Sequence, residues 1–170
     1  INLLNAMGAN IQILNETKVG GESVADLQVS YAALRGIKIP KDQIPLAIDE
    51  FPVLFIAAAC AEGETILRGA SELRVKESDR IEAMAIGLDT LGISVKTYSD
   101  GICIEGGSFQ GGLIDSFGDH RIAMAFVIAG LRASKPIKIS NCANVGTSFP
   151  GFIDLANEVG IPVKEVTEKH

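Results

Sequence analysis

Tryptophan is absent from these 170 residues, tyrosine occurs twice, and aromatic residues make up only 5%. Base stacking, a mainstay of single-stranded nucleic-acid binding, therefore has little to work with. Positive charge is also in the minority: 15 Lys and Arg against 21 Asp and Glu leave a net charge of -6, which argues against a nucleic-acid surface. Any anionic ligand must be held locally. Long apolar runs are missing, since Phe51 to Ala61 is flanked by acids and falls short of the about 18 residues that cross a bilayer. Cys60, Cys103 and Cys142 are odd in number, far apart and set in apolar or strand-like contexts. That pattern fits buried free thiols in a reducing compartment better than disulfides or a metal, and a soluble, cytoplasmic protein is expected. There is no phosphate loop, no nucleophile elbow and no zinc spacing of Cys and His.

What is present is a globular composition, 47% hydrophobic and 21% charged, enough for one core and one compact domain. Ile1 to Met7 reads as the last turns of a helix without a cap before it, so the chain is expected to be part of a longer one. A strand over Ile11–Leu14, a turn at Gly20-Gly21 and a strand over Val24–Ser30 follow. The junctions Leu91-Gly-Ile-Ser-Val95 and Val159-Gly-Ile-Pro-Val163 repeat a helix-Gly-strand pattern, and the likeness extends upstream. Asp49 to Ala61 corresponds to Asp119 to Leu131, each a helix apolar on nearly every face and hence expected to be buried all round. Strands are expected at Gly36–Ile39, Thr65–Arg68, Ile102–Glu105, Gly112–Asp115 and Pro136–Ser140. The fold class is α/β: strand-helix-strand-helix-strand-strand units packed around shared buried helices, with sheets outside.

Charge gathers where helices begin. Ser78 is the expected N-cap of a helix whose apolar residues Ile81, Met84, Ala85, Leu88 and Leu91 recur at helical spacing until Gly92. Glu77, Asp79 and Glu82 suit that helix start, but Lys76 and Arg80 oppose its dipole. Two readings stand: the cations pair with Glu77 and Asp79 on a solvated surface, or they form an anion site with the free backbone amides. Asp49 reads as an N-cap or a functional acid, Asp119 as a cap, and His120 as a capped-turn histidine or a site residue. Arg121 opens an otherwise apolar helix against its dipole, where a merely solvated arginine is misplaced. Thr147 and Ser148 read as hydroxyl caps of a fourth helix start. Similar units can point these starts toward one face.

Ile48-Asp-Glu50, Leu73-Arg-Val-Lys-Glu-Ser-Asp-Arg80 and Asp119-His-Arg-Ile-Ala-Met-Ala125 together closely resemble the 5-enolpyruvylshikimate-3-phosphate synthase family of carboxyvinyl transferases. The resemblance runs along essentially the whole chain and matches the C-terminal half of those enzymes. It implies that residues 1–170 form one domain of the two-domain enolpyruvyl transferase fold. It also implies a proton-accepting Asp49 at the shikimate hydroxyl, and Glu77 exchanging protons at the enolpyruvyl methylene carbon. Lys76 is implied to contact shikimate 3-phosphate, Arg80 and Arg121 to hold phosphoenolpyruvate, and His120 to stand near it. The segment Thr147-Ser148-Phe149-Pro150 departs from the Lys-Thr-Phe-Pro of many members, so one phosphoenolpyruvate cation of the family is missing there.

The implied chemistry suits these residue types. Addition of a hydroxyl to C2 of phosphoenolpyruvate calls for a base at the hydroxyl and an acid at C3, and phosphate elimination calls for C3 to be deprotonated again. Planar, permanently charged arginines match carboxylate and phosphate groups. No metal or organic cofactor is required. The alternatives are the related transferase acting on UDP-N-acetylglucosamine and a non-catalytic anion-binding or scaffolding module.

Overall fold

The computed structural model describes residues 1–166. Helix α1 (Asn2–Ala6) leads into an antiparallel hairpin, β1 (Asn10–Val19) and β2 (Glu22–Ser30), that turns at Gly20-Gly21. The first strand outlasts the apolar run that marks it in the sequence. A bulge between Leu14 and Thr17 sets Asn15 at φ 52°, and its side-chain amide donates to Asp26 Oδ2 at 2.7 Å, so polar residues continue the strand.

Helix α2 (Ile44–Ala47) and a 3-10 turn over Ile48–Glu50 deliver the chain to α3 (Phe51–Ala59), where Pro52 sits in the first turn and forfeits no intrahelical bond. Strand β3 (Glu64–Arg68), a 3-10 turn over Ser71–Val75 and α4 (Arg80–Thr90) follow. Then come β4 (Val95–Tyr98) and β5 (Gly101–Glu105), and β5 pairs antiparallel with both β3 and β4. Strand β6 (Gly112–Asp115), α5 (His120–Ala129) and β7 (Ile137–Ser140) make a parallel crossover unit, closed by α6 (Ala143–Ser148) and α7 (Phe152–Glu158).

The repeat is visible in this topology, less complete than the sequence implies. The parallel pairing of β6 and β7 around α5 is echoed around α3 only by the bridges Arg35↔Glu62 and Lys38↔Ile66. Pro40 ends the extended run Gly36–Ile39 before it becomes a full strand, and Gly36 lies so close to the Glu64 carbonyl that a Cβ would collide. After α7, residues 161–166 form no strand either. Asn157 bonds both backbone groups of Val163, at 3.0 and 3.1 Å, where a neighbouring strand would otherwise do so.

Helices α3, α4 and α5 share one core, with Phe51, Phe55, Met84, Leu88 and Phe126 essentially excluded from solvent. Burial of α3 and α5 is not complete on every side, contrary to the expectation from their apolar sequences. Val53 of α3 is exposed, and Met124, Val127 and Ile128 of α5 are half-buried, because the neighbouring helices cover only part of each circumference. Two expected caps also differ. Asp79, not Ser78, caps α4 by accepting from the Glu82 amide at 3.0 Å. Thr147 and Ser148 lie at the end of α6 rather than the start of a helix, and α7 begins from Gly151 at φ 79°, a left-handed conformation that suits glycine.

Candidate active site

Three helix starts meet. Asp49 lies in the turn before α3, Lys76 to Arg80 run from the end of a 3-10 turn into α4, and Asp119-His120-Arg121 cap and open α5. The Arg80 guanidinium joins them: Nε donates to Asp119 Oδ2 at 2.9 Å, Nη1 to Asp49 Oδ1 at 3.0 Å and Nη2 to Glu77 Oε2 at 2.6 Å. Lys76 Nζ lies 2.6 Å from Glu72 Oε1 and 3.5 Å from Asp49 Oδ1. Arg121 Nη1 donates to the Asp49 carbonyl at 2.8 Å and to Glu50 Oε1 at 3.1 Å. His120 opens α5, half-buried, and its ring makes no hydrogen bond to this cluster among the described residues.

Asp119 is fixed from four directions. It accepts from the Ser78 hydroxyl at 3.0 Å, from Arg80, and from the Arg121 and Ile122 amides at 2.9 and 3.5 Å. Its approach is set by the loop after β6: Asp115 Oδ1 accepts from the Phe117 amide and the Asn141 side chain, an Asx turn that holds Phe117 at φ 53°. Asn144 Nδ2 donates to the Gly118 carbonyl at 2.6 Å, so the segments after β6 and β7 brace each other.

The Arg80 and Asp119 side chains are 1% and 0% exposed, and a charge so enclosed is tolerable only when paired and hydrogen-bonded. Burial opposes the charge on Asp119, but the bond and charge of Arg80, the Arg121 amide and Ser78 together hold its carboxyl below the ordinary value. Arg80 is likewise opposed by burial and, on balance, made harder to deprotonate by Asp119, Glu77 and Asp49. For Asp49, burial pushes the carboxyl up, while the Arg80 bond and the Lys76, Arg121 and Arg80 charges outweigh it and push it down. Asp49 is therefore ionised and electrostatically clamped. Arg80 is enclosed while Lys76 and Arg121 are partly exposed, and a hollow of about 320 Å³ lies elsewhere, on the β3–β5–β4 sheet beside Lys96 and Tyr98.

The sequence model of the EPSP synthase family, 3-phosphoshikimate 1-carboxyvinyltransferase, matches residues 1–155. The chain belongs to the EPSP synthase family. Among similar members, the 3-phosphoshikimate 1-carboxyvinyltransferase of Methylococcus capsulatus is 63% identical over 164 residues, 96% of this chain and 38% of the relative. That of Legionella pneumophila is 59% identical over 165 residues, 97% of this chain and again 38% of the relative. An EPSP synthase structure from Acinetobacter baumannii superposes with a TM-score of 0.91 at 54% identity, covering 94% of this chain and 38% of that one. The enolpyruvyl transferase NikO from Streptomyces tendae shares the fold at 19% identity and a TM-score of 0.62. The chain thus spans a little over a third of the length of these EPSP synthase relatives.

In this EPSP synthase family chain, three acids gain roles that sequence reasoning did not assign. Asp119 is more than a helix cap, because it also holds the Arg80 guanidinium. Glu72 pairs with Lys76 four residues on, a spacing the sequence offers. Glu50 pairs with Arg121, 71 residues away, and nothing local announces that contact. Arg74 is also engaged, bonding Asp79 at 2.6 Å and the Ser99 carbonyl at 3.0 Å, which fastens the start of α4 to the β4–β5 turn.

Proposed function

We propose that the full-length protein transfers the enolpyruvyl group of phosphoenolpyruvate to the 5-hydroxyl of shikimate 3-phosphate and releases phosphate, a step of aromatic amino-acid biosynthesis. Residues 1–170 form one of its two domains, and the other domain supplies the rest of the site. The observation that carries this reading is the single charge network in which Asp49, Lys76, Glu77, Arg80 and Arg121, drawn from three helix starts, stand together.

Asp49 accepts the proton of the attacking hydroxyl as its oxygen bonds to C2 of phosphoenolpyruvate, and Glu77 delivers a proton to C3. Glu77 then takes a proton back from C3 as the C2–O bond to phosphate breaks, leaving the enol ether. Lys76 contacts shikimate 3-phosphate, Arg80 and Arg121 bind the carboxylate and phosphate of phosphoenolpyruvate, and His120 stands beside it. An anionic substrate that engages these cations also weakens their hold on Asp49, which raises its basicity as the hydroxyl arrives. No metal or organic cofactor takes part, and the enzyme works in the cytoplasm.

In the full-length protein, Asp49→Asn and Glu77→Gln should lower kcat by about 10²- to 10⁴-fold while substrate dissociation constants change far less, since proton transfer belongs to the reaction path alone. Steady-state kinetics with calorimetry on the same preparations reads both quantities. Near-native turnover in either variant would remove that residue from its role.

A further inference from the structure

The cations of this site are already occupied. Five carboxylates surround Lys76, Arg80 and Arg121, and they divide sharply by exposure. Asp119 is fully enclosed and fixed. Glu72 and Glu50, by contrast, are 59% and 61% exposed, and each reaches one cation from the solvent side. Neither has a place in the proton-transfer chemistry, yet each sits where an anionic group of a ligand has to go.

We propose that Glu50 and Glu72 are exchangeable internal counter-ions: they occupy Arg121 and Lys76 while the site is empty and swing into solvent when an anionic substrate takes their place. This rests on the proposed role of those cations in binding phosphate and carboxylate groups. The physical argument is one of mobility and cost. Exposed ion pairs are weak, so releasing these acids costs the ligand little, whereas removing a buried pair such as Arg80–Asp119 is expensive. While in place, the acids offset the mutual repulsion of neighbouring cations. Arg121 is also tied to the Asp49 carbonyl at 2.8 Å, an uncharged acceptor that an incoming anion need not displace. Displacing Glu50 therefore leaves the guanidinium positioned.

The consequence is that Glu50 and Glu72 compete with ligand, so removing their charge should tighten anion binding rather than weaken it. Calorimetric titration of the full-length protein with inorganic phosphate and with phosphoenolpyruvate tests this. Glu50→Gln should tighten binding by about 1.5- to 5-fold, the range that a weak exposed pair converts to, and Glu72→Gln should act in the same direction. Glu82→Gln is the control for general charge removal: Glu82 lies on the exposed side of α4 and forms no ion pair with these cations among the described residues. Equal tightening in Glu82→Gln, or unchanged or weaker binding in both Glu50→Gln and Glu72→Gln, overturns the proposal. The reading on which it rests has its own check: if Arg121→Ala and Lys76→Ala leave affinity for both ligands intact, the cations are not the anion site at all.

Discussion

Asp119 holds a buried arginine and caps the helix that carries Arg121, so one side chain sets the geometry of two cations. Truncating it leaves the Arg80 guanidinium enclosed with one partner fewer. Asp119→Ala should therefore cost about 3 to 5 kcal/mol, measured by urea denaturation near neutral pH. The pH dependence follows from the direction of the shift. The folded-state carboxyl lies below its ordinary value of 3.8, so the unfolded chain binds more protons in that region. The stability Asp119 contributes is then complete above the ordinary value and is lost as pH falls through the folded one. Denaturation midpoints measured from about pH 7 down to pH 3 should fall less steeply in the variant than in the parent. Parallel curves would assign the acid sensitivity to other carboxylates, with Asp49 and Asp100 the first to test, since both are also lowered.

Helices α4 and α5 meet where Gly87 faces Phe126, and a Cβ at Gly87 would run into the far edge of the Phe126 ring. Ala exceeds Gly in helix propensity by about 1 kcal/mol, which by itself would make Gly87→Ala stabilising. Packing decides otherwise, because Phe126 is fully buried and has no open space to rotate into. The expected outcome is a net loss of about 1 to 3 kcal/mol in chemical denaturation, typical of overpacking. Ile86→Ala, one residue away on the exposed side of α4, should change stability by no more than about 0.5 kcal/mol. Destabilisation confined to position 87 would identify the helix contact as its source. The same two helices begin at Arg80 and His120, so a shift at this crossing moves the site cations as well.

At the scale of the whole molecule, the outer members of the charge network, Asp49, Glu50, Glu72 and Glu77, are exposed, and the chain spans 38% of the relatives it matches. Ligand sites favour domain interfaces, where enclosure strengthens ionic contacts and fixes two substrates relative to each other. With water at the partly exposed Lys76 and Arg121, their contacts are weakened by the higher effective dielectric. Residues 1–170 on their own should therefore bind phosphate weakly and release none from phosphoenolpyruvate and shikimate 3-phosphate. A phosphate-release assay on the isolated chain checks this, and robust turnover would mean that the complete site lies within it. The hairpin gives a second sign of incomplete cover: Ile13, Leu27 and Val29 are exposed, while Leu67, Ile102 and Ile104 of the β3–β5–β4 sheet are buried.

The sequence by itself determined the features whose causes are local. Asp119 before an apolar run is a cap and Pro52 marks a first turn, because capping and the missing proline amide act over one turn. The repeated helix-Gly-strand junctions likewise exposed the unit from which the fold is built. The strand expected after Gly160, at the third such junction, failed for the opposite reason: a strand exists only through its neighbour, and there Asn157 takes the backbone groups of Val163 instead. The N-cap of α4 was one residue off because Ser78 and Asp79 are both good caps; Ser78 was drawn to Asp119, 41 residues away. Only the tertiary structure decided that Arg80 is buried among three acids, that Asp49 gives its carboxylate to arginine and lysine rather than to helix amides, and that Glu50 reaches Arg121. Those contacts span 27 to 71 residues wherever they link different helix starts, and ionic pairing depends on distance in space, which packing of the apolar faces sets.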